Sequence, residues 1–248
     1  MNKNNILLIV ASGKSSRFGG FPKAFCELGD VMNVENTINK AKTIIDKFYI
    51  GVNRKVFDQF NSKITSAEMF PIKTGQGDAH SLLKCLKHIK ENNPSVNTIM
   101  VCWGDAVFVS SKPFEELSQA NGPVCVACSL DNKPYAWFDV DERNNIRKSH
   151  FAKEEGFIES GMHDQSLFLF DINYAIQYLD EYRQSLGICD DNDEEKSDIN
   201  EMKLLFSFEY LEKKGNPAKC IKISSDQVLS FNTQEELDNI KQKIHVAV

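Results

Sequence analysis

The sequence predicts an α/β protein built on a mainly parallel sheet with helices on both faces. Three observations predict it. Apolar runs at 6–11, 47–52 and 98–103 read as strands buried on both sides. Stretches with helical apolar spacing separate them. Turns rich in small residues follow two of the runs, at Ser12–Gly20 and at Gly104. Strands that alternate with helices of this length argue for βαβ connections and a covered parallel sheet.

The elements follow in order. Ile6–Ala11 is the first strand. Residues 33–46 place Val34, Ile38, Ala41, Ile44 and Ile45 at helical spacing, and Lys47–Val52 is the second strand. A short helix at 54–61 and an extended piece at Met69–Ile72 come next. The turn Thr74–His80 leads into a helix carrying Leu82, Leu83, Leu86 and Ile89. Thr98–Trp103 is a buried central strand that ends at Gly104-Asp105. The pattern then changes. Segments 123–130, 135–142 and 165–171 are strand-like and closely spaced, with a hairpin turn at Asp141–Asn145, so an antiparallel portion joins the parallel core. Helices at 173–186 and 200–214, a strand at 219–223 and a helix starting near residue 233 complete the chain. No repeat, Pro-rich linker or composition break divides it, and one domain over 1–248 is expected, with a flexible acidic insertion at 188–199. That insertion lacks the turn glycine and ligand spacing of a calcium loop.

Composition narrows the function classes. Apolar residues make up 42% and charged residues 26%, as in ordinary folded domains. A formal net charge of −6 argues against nucleic-acid binding, while a local basic pocket still suits an anionic small molecule. No apolar run approaches the roughly 20 residues of a membrane helix, and no leader pattern opens the chain, so a cytoplasmic protein is expected. The seven cysteines (Cys26, Cys85, Cys102, Cys125, Cys128, Cys189 and Cys220) are scattered and read as buried free thiols. Cys125 and Cys128 form C-x-x-C, but strand alternation turns residues three apart to opposite faces, against a zinc or redox site. His80 reads as a helix-start or backbone-bonding residue, and His88, His150 and His245 as surface residues. Trp103 and Trp137 read as strand aromatics of the core.

The candidate chemistry sits where strands end. In open α/β sheets ligands bind beyond the carboxyl ends of strands. The loop Ser12–Lys23 combines small residues, which let backbone N–H groups approach an anion, with the cations Lys14, Arg17 and Lys23. It is not a Walker A loop: the glycine required five positions before Gly13 is Leu8, inside the strand. A G-x-G-x-x-G fingerprint is also absent from this turn. Asp105, after a buried strand and a glycine, reads equally as a metal ligand and as a turn or capping residue.

Several segments together resemble a known family. Ala11-Ser12-Gly13-Lys14-Ser15-Ser16-Arg17, then Pro22-Lys23 and Gly29, resembles the signature of nucleotidyltransferases that make nucleoside-diphosphate sugars, A-A-G-x-(G/S)-x-R…P-K…G. Gly77-Asp78-Ala79-His80 is similar to the G-T-x-H-A turn of the N-acetylglucosamine-1-phosphate uridylyltransferase-like and MobA-like branch. Gly104-Asp105 matches the family's G-D, Tyr135–Glu142 its G-Y-G-R-V hairpin, and Phe231–Leu237 its V-N-T-P-E-D-L. The segments span nearly the whole chain in the family's order.

The resemblance implies a Rossmann-like three-layer α/β/α fold with a mixed, mainly parallel sheet. It implies a nucleotidyl group moving from a nucleoside triphosphate to a phosphorylated small-molecule acceptor, a sugar 1-phosphate first among them, with release of pyrophosphate. By position, Ala11, Ser12, Gly13, Lys14, Ser15 and Ser16 would hold the triphosphate, and Gly77 and Asp78 would lie near the base. Arg17 and Lys23 would stabilise charge on the phosphates, and Asp105 and Asn232 would ligate Mg²⁺. Ala136 and Asp164 would face the acceptor, with His163 beside them. The departures from the family pattern are Ser12 for Ala, Asp78 for Thr, Ala136 for Gly, Lys148 for Glu and Asp164-Gln165-Ser166 for N-T-G. They fall mostly at the acceptor end, which leaves a polyol, amino-alcohol or amino-acid-derived phosphate as an alternative acceptor. A non-catalytic nucleotide sensor would bind nucleotide without releasing pyrophosphate. A related glycosyltransferase would carry D-x-D where Gly104-Asp105-Ala106-Val107 stands. No nucleic acid or membrane partner is expected, and a homo-oligomer is compatible with this reading.

Overall fold

The computed structural model describes residues 5–13, 15, 18–73, 76–188 and 201–246. Lys14, Ser16 and Arg17, and all of the expected acidic insertion except Ile188, lie outside the described residues, as does Cys189.

β1 (Ile6–Ala11) runs into the 12–22 loop, a 3₁₀ turn at Lys23–Phe25 and a small hairpin of β2 (Glu27–Leu28) and β3 (Val31–Met32). α1 (Asn33–Ala41) returns the chain to β4 (Lys47–Val52), and α2 (Arg54–Phe60) to β5 (Glu68–Pro71). α3 (Asp78–Asn92) crosses back to β6 (Thr98–Trp103). β1 therefore lies between β4 and β6, parallel to both, with β5 parallel beyond β4. This reversal of strand order beside β1 is the topological switch point, and the crevice opens at the carboxyl ends of β1 and β6.

The second half runs β7 (Ala106–Phe108), α4 (Lys112–Ser118), β8 (Val124–Asn132), β9 (Ala136–Val140), β10 (Ile146–Phe151), α5 (Ala152–Glu155) and β11 (Ser160–Asp171). It closes with α6 (Ile172–Ser185), α7 (Leu204–Lys213), β12 (Lys219–Lys222), β13 (Val228–Ser230) and α8 (Gln234–Val246). The long β11 pairs antiparallel with β6 on one edge and β8 on the other, and its first half also meets β9. The antiparallel portion thus continues the parallel sheet. β12 adds a parallel edge on β8.

Strand alternation builds two cores. Ile6, Leu8 and Val10 face one side with Leu82, Leu86, Leu179 and Phe208 of α3, α6 and α7. Leu7 and Ile9 face the other with Val34, Ile38, Val56 and Phe114 of α1, α2 and α4. Side chains that alternate across a strand require both faces to be covered, hence three layers: a Rossmann-like α/β/α fold with a mixed, mainly parallel sheet. Cys125 belongs to the second core and Cys128 to the first, so the C-x-x-C thiols point away from each other. The six described cysteines are buried and free. No helix among the described residues is long and apolar enough to cross a membrane.

Some elements differ from expectation. α1 ends at Ala41, whose carbonyl takes the amides of both Ile44 and Ile45 in a turn. β10 was not expected as a strand, because Arg147, Lys148, Ser149 and His150 interrupt its apolar alternation. α4 is too short for its spacing to register. His150 is not a surface residue. Its ring stacks on Trp137 with centroids 5.1 Å apart, and its nitrogens lie 2.9 Å from Glu155 Oε1 and 3.0 Å from Asp139 Oδ2. Burial opposes its charge, but the bonds to the two carboxylates outweigh burial and raise its pKa. A raised folded-state pKa stabilises the fold below the unfolded value, near 6.5, and that contribution fades as pH climbs through the folded value. His150→Gln is therefore expected to cost up to about 1 kcal/mol at pH 6 and less at pH 9, read by urea unfolding at both.

Candidate functional site

Three chain segments meet at the switch point. β6 ends at Trp103 and turns at Gly104-Asp105 into β7, which pairs antiparallel with β13, Ala106 opposite Ser230. This short ladder fixes Asp105, just before β7, against Asn232, just after β13. The third segment is the 3₁₀ turn after Pro22, which carries Lys23. Lys23 Nζ lies 2.9 Å from Asp105 Oδ2 and 3.1 Å from Asn232 Oδ1. It also sits 5.8 Å from the centroid of the Phe231 ring. The structure thus brings together Lys23, Asp105 and Asn232.

Each member is held by its neighbours. Gly104 donates its amide to Val10 O at 2.9 Å, tying the turn to the end of β1. A Cβ at Gly104 would stand 2.8 Å from Ala11 Cβ and 2.9 Å from Ala24 Cβ, so only glycine lets the Lys23 turn and the Asp105 turn close on each other. Asn33, the first residue of α1, is buried and donates Nδ2 to both Gly104 O (3.1 Å) and Ala106 O (3.0 Å), spanning Asp105 from behind. Asn33→Ala would leave both carbonyls buried without that donor. A loss on the order of 2–3 kcal/mol is expected, measured by denaturant unfolding. Asn232 is set by the start of α8. Glu236 Oε2 accepts the amide of Thr233 at 3.1 Å, and Thr233 Oγ1 accepts the amide of Glu236 at 3.2 Å. This reciprocal pair is a capping box. Phe231, fully buried, packs edge-on against Phe18 at 5.4 Å.

The amino-terminal loop is tight. Ser15 adopts a left-handed φ of 47°, and its carbonyl accepts the amides of Phe18 and Gly20. Ser12 is buried, and Gly13 has open space around its Cα. Gly29 forms the β2–β3 turn with φ 69°.

The 76–79 turn proves to be a docking point for the chain before α7. Met202 donates its amide to Gln76 O at 2.8 Å and accepts the Ala79 amide at 3.0 Å. Gly77, at φ 107°, leaves no room for a side chain: a Cβ would fall 2.3 Å from Met202 O. Asp78 Oδ1 accepts the amides of Ala79 (2.6 Å) and Leu204 (2.8 Å), tying the start of α3 to the start of α7. Burial pushes the Asp78 carboxyl up to about 6, although both amides pull it down. Sequence reasoning missed this use of Asp78, because its partner is 126 residues away.

Asp164 sits at a break in the β8–β11 register, three residues before Leu167, the residue that pairs with Cys102 of β6. That brings it to the same end of the sheet as Asp105. Burial raises its pKa, and the Asp105 charge adds to the rise against the opposing pull of His163. His163 Nδ1 is 3.1 Å from Asp131 Oδ2, and its Nε2 is 3.7 Å from Asp164 Oδ1. Asp131 also accepts from Ser129 (2.7 Å) and Gln165 (3.0 Å). Burial lowers the His163 pKa, but the bond to Asp131 and the charges of Asp164 and Asp131 carry it above the usual imidazole value. Gln165 lies in the segment that stands for N-T-G, but Asp131 and Ser129 belong to no motif, so the cluster they form with it and His163 had no local signal. Ala136 is buried in β9 opposite Phe151. Lys148 lies 3.9 Å from Glu155.

The MobA-like NTP transferase domain model matches residues 7–164, a stretch that includes Lys23, Asp105 and Asp164 and stops short of Asn232. Among solved structures, the chain is similar to the inositol-1-phosphate CTP transferase from T. maritima, with a TM-score of 0.69. That match covers 98% of this chain and 96% of the other at 15% identity, a likeness of fold. No curated protein matches the sequence.

Proposed function

The chain belongs to the MobA-like NTP transferase family, and from that premise we propose that it moves a nucleotidyl group from a nucleoside triphosphate to a phosphorylated acceptor. The observation that carries the reading is the convergence of Lys23, Asp105 and Asn232 at the switch point. An oxygen of the acceptor phosphate attacks the α-phosphorus in line. The bond from that phosphorus to the bridging oxygen breaks, and pyrophosphate leaves with the electron pair. No general base is required, because a phosphate monoester is already largely ionised near neutrality. The work of the protein is then positioning and charge neutralisation.

Lys23, with Arg17 and Lys14, faces the triphosphate in this proposal, and the backbone of Ala11–Ser16 cradles it. Gly77 and Asp78 flank the base. Asp105 and Asn232 offer two hard oxygens aimed at one point, a donor set that suits Mg²⁺ shared with phosphate oxygens. The Lys23 ammonium already stands there as a positive charge. Mg²⁺, when bound, supplies charge neutralisation on the phosphates. Asp164 and Ala136 face the acceptor, proposed as a sugar 1-phosphate.

The test is a screen of four nucleoside triphosphates against sugar, polyol and amino-alcohol phosphates with Mg²⁺, read by pyrophosphate release. Release with a sugar 1-phosphate supports the full proposal, and release only with another class corrects the acceptor. Nucleotide binding with no release from any pair defeats it.

A further inference from the structure

The geometry points to Lys23 as a place-holder: its ammonium fills the cation position between Asp105 and Asn232 until a triphosphate draws it away, so a divalent ion enters with the nucleotide and not before it. This rests on the proposed function and adds an order of events to it.

Asp105 Oδ2 and Asn232 Oδ1 come from positions 127 residues apart, yet both are directed at one nitrogen, at 2.9 and 3.1 Å. An ammonium and a divalent ion compete for the same two oxygens. Their charges repel, and the ammonium directs N–H bonds at the lone pairs a metal would take. Lys23 is well lodged there. Its side chain is only 12% exposed against 37% for Asp105, and the Phe231 ring lies beside its head. Two of its three N–H donors are occupied in this arrangement, leaving one for a phosphate oxygen. Its four-carbon stem lets the charge swing from a fixed root in the 3₁₀ turn. A triphosphate brings several negative charges and can hold the displaced ammonium better than Asp105 does. The nucleotide and the divalent ion then favour the same displaced state, and each must raise the affinity for the other by one common factor.

Mn²⁺ titration followed by the electron paramagnetic resonance of free Mn²⁺ tests this on the full chain without nucleotide. Lys23→Met keeps the length of the side chain and removes its charge. It is expected to bind one Mn²⁺ at least tenfold more tightly than the wild type, and Lys23→Gln should do likewise. Adding Asp105→Asn to Lys23→Met should abolish the gain, placing the ion at this point. Circular dichroism melts establish that each variant is folded, and the Gln variant serves if the Met variant is not. Equal Mn²⁺ affinity in wild type and variant, whether measurable or undetectable, overturns the inference, and so does a gain that survives Asp105→Asn. A protein that releases pyrophosphate but shows equal affinities loses this inference alone; one that shows the gain but releases none loses the proposed reaction instead.

Discussion

Lys23→Ala is expected to lower turnover at least a hundredfold, about 2.7 kcal/mol of transition-state stabilisation, in a protein that stays folded. The two halves of this expectation have separate origins. In the free protein Lys23 pairs with Asp105, whose side chain is 37% exposed, so solvent screens the pair and its loss costs at most about 1 kcal/mol of stability. In the proposed reaction the same ammonium faces charge that grows on the departing pyrophosphate, away from bulk water. Steady-state pyrophosphate release against a thermal melt separates the two. Turnover within tenfold of wild type would remove Lys23 from the reaction.

Asp105→Asn is expected to have a comparable effect by a different route. The amide keeps the shape of the carboxylate and an oxygen for Lys23, so the turn held by Gly104 and Asn33 should persist. What is lost is one full negative charge at the point shared with Asn232. Turnover should fall at least a hundredfold, with a raised requirement for Mg²⁺, read as pyrophosphate release over a divalent-ion titration. Near-normal turnover at ordinary Mg²⁺ would leave Asp105 as a turn residue, the other reading of its position in the sequence.

The parallel half of the sheet was legible because strands buried on both faces read as unbroken apolar runs, as at Ile6–Ala11 and Thr98–Trp103. β10 was not, because a hairpin strand that keeps Arg147 and Lys148 in solvent carries no such run. β7 and β13 were not, because three-residue strands acquire their meaning only from a partner more than a hundred positions away. The candidate site shows the same division. Lys23, Asp105 and Asn232 could be named from motifs that belong to a chemistry, but their meeting at one nitrogen follows from the ladder between β7 and β13. Asn33 looked like any polar residue at a helix start. Its value lies in two carbonyls contributed by another strand end. Asp78 reads as a residue beside a ligand, and nothing near it in the sequence signals that its carboxylate also accepts the amides of Ala79 and Leu204. Local pattern reports burial and turns; it does not report which distant amide a carboxylate will find.

The 209-residue separation between Lys23 and Asn232 has a consequence for biogenesis. During synthesis β1, β4 and β6 can zip together early, yet the cluster at their ends lacks its second oxygen until position 232 has left the ribosome and α8 can wind. A nascent chain therefore exposes a half-built crevice for most of its translation, with Lys23 and Asp105 paired but without Asn232. Competence for ligand should arrive late and abruptly, as a property of the closed chain and not of its first βαβ units.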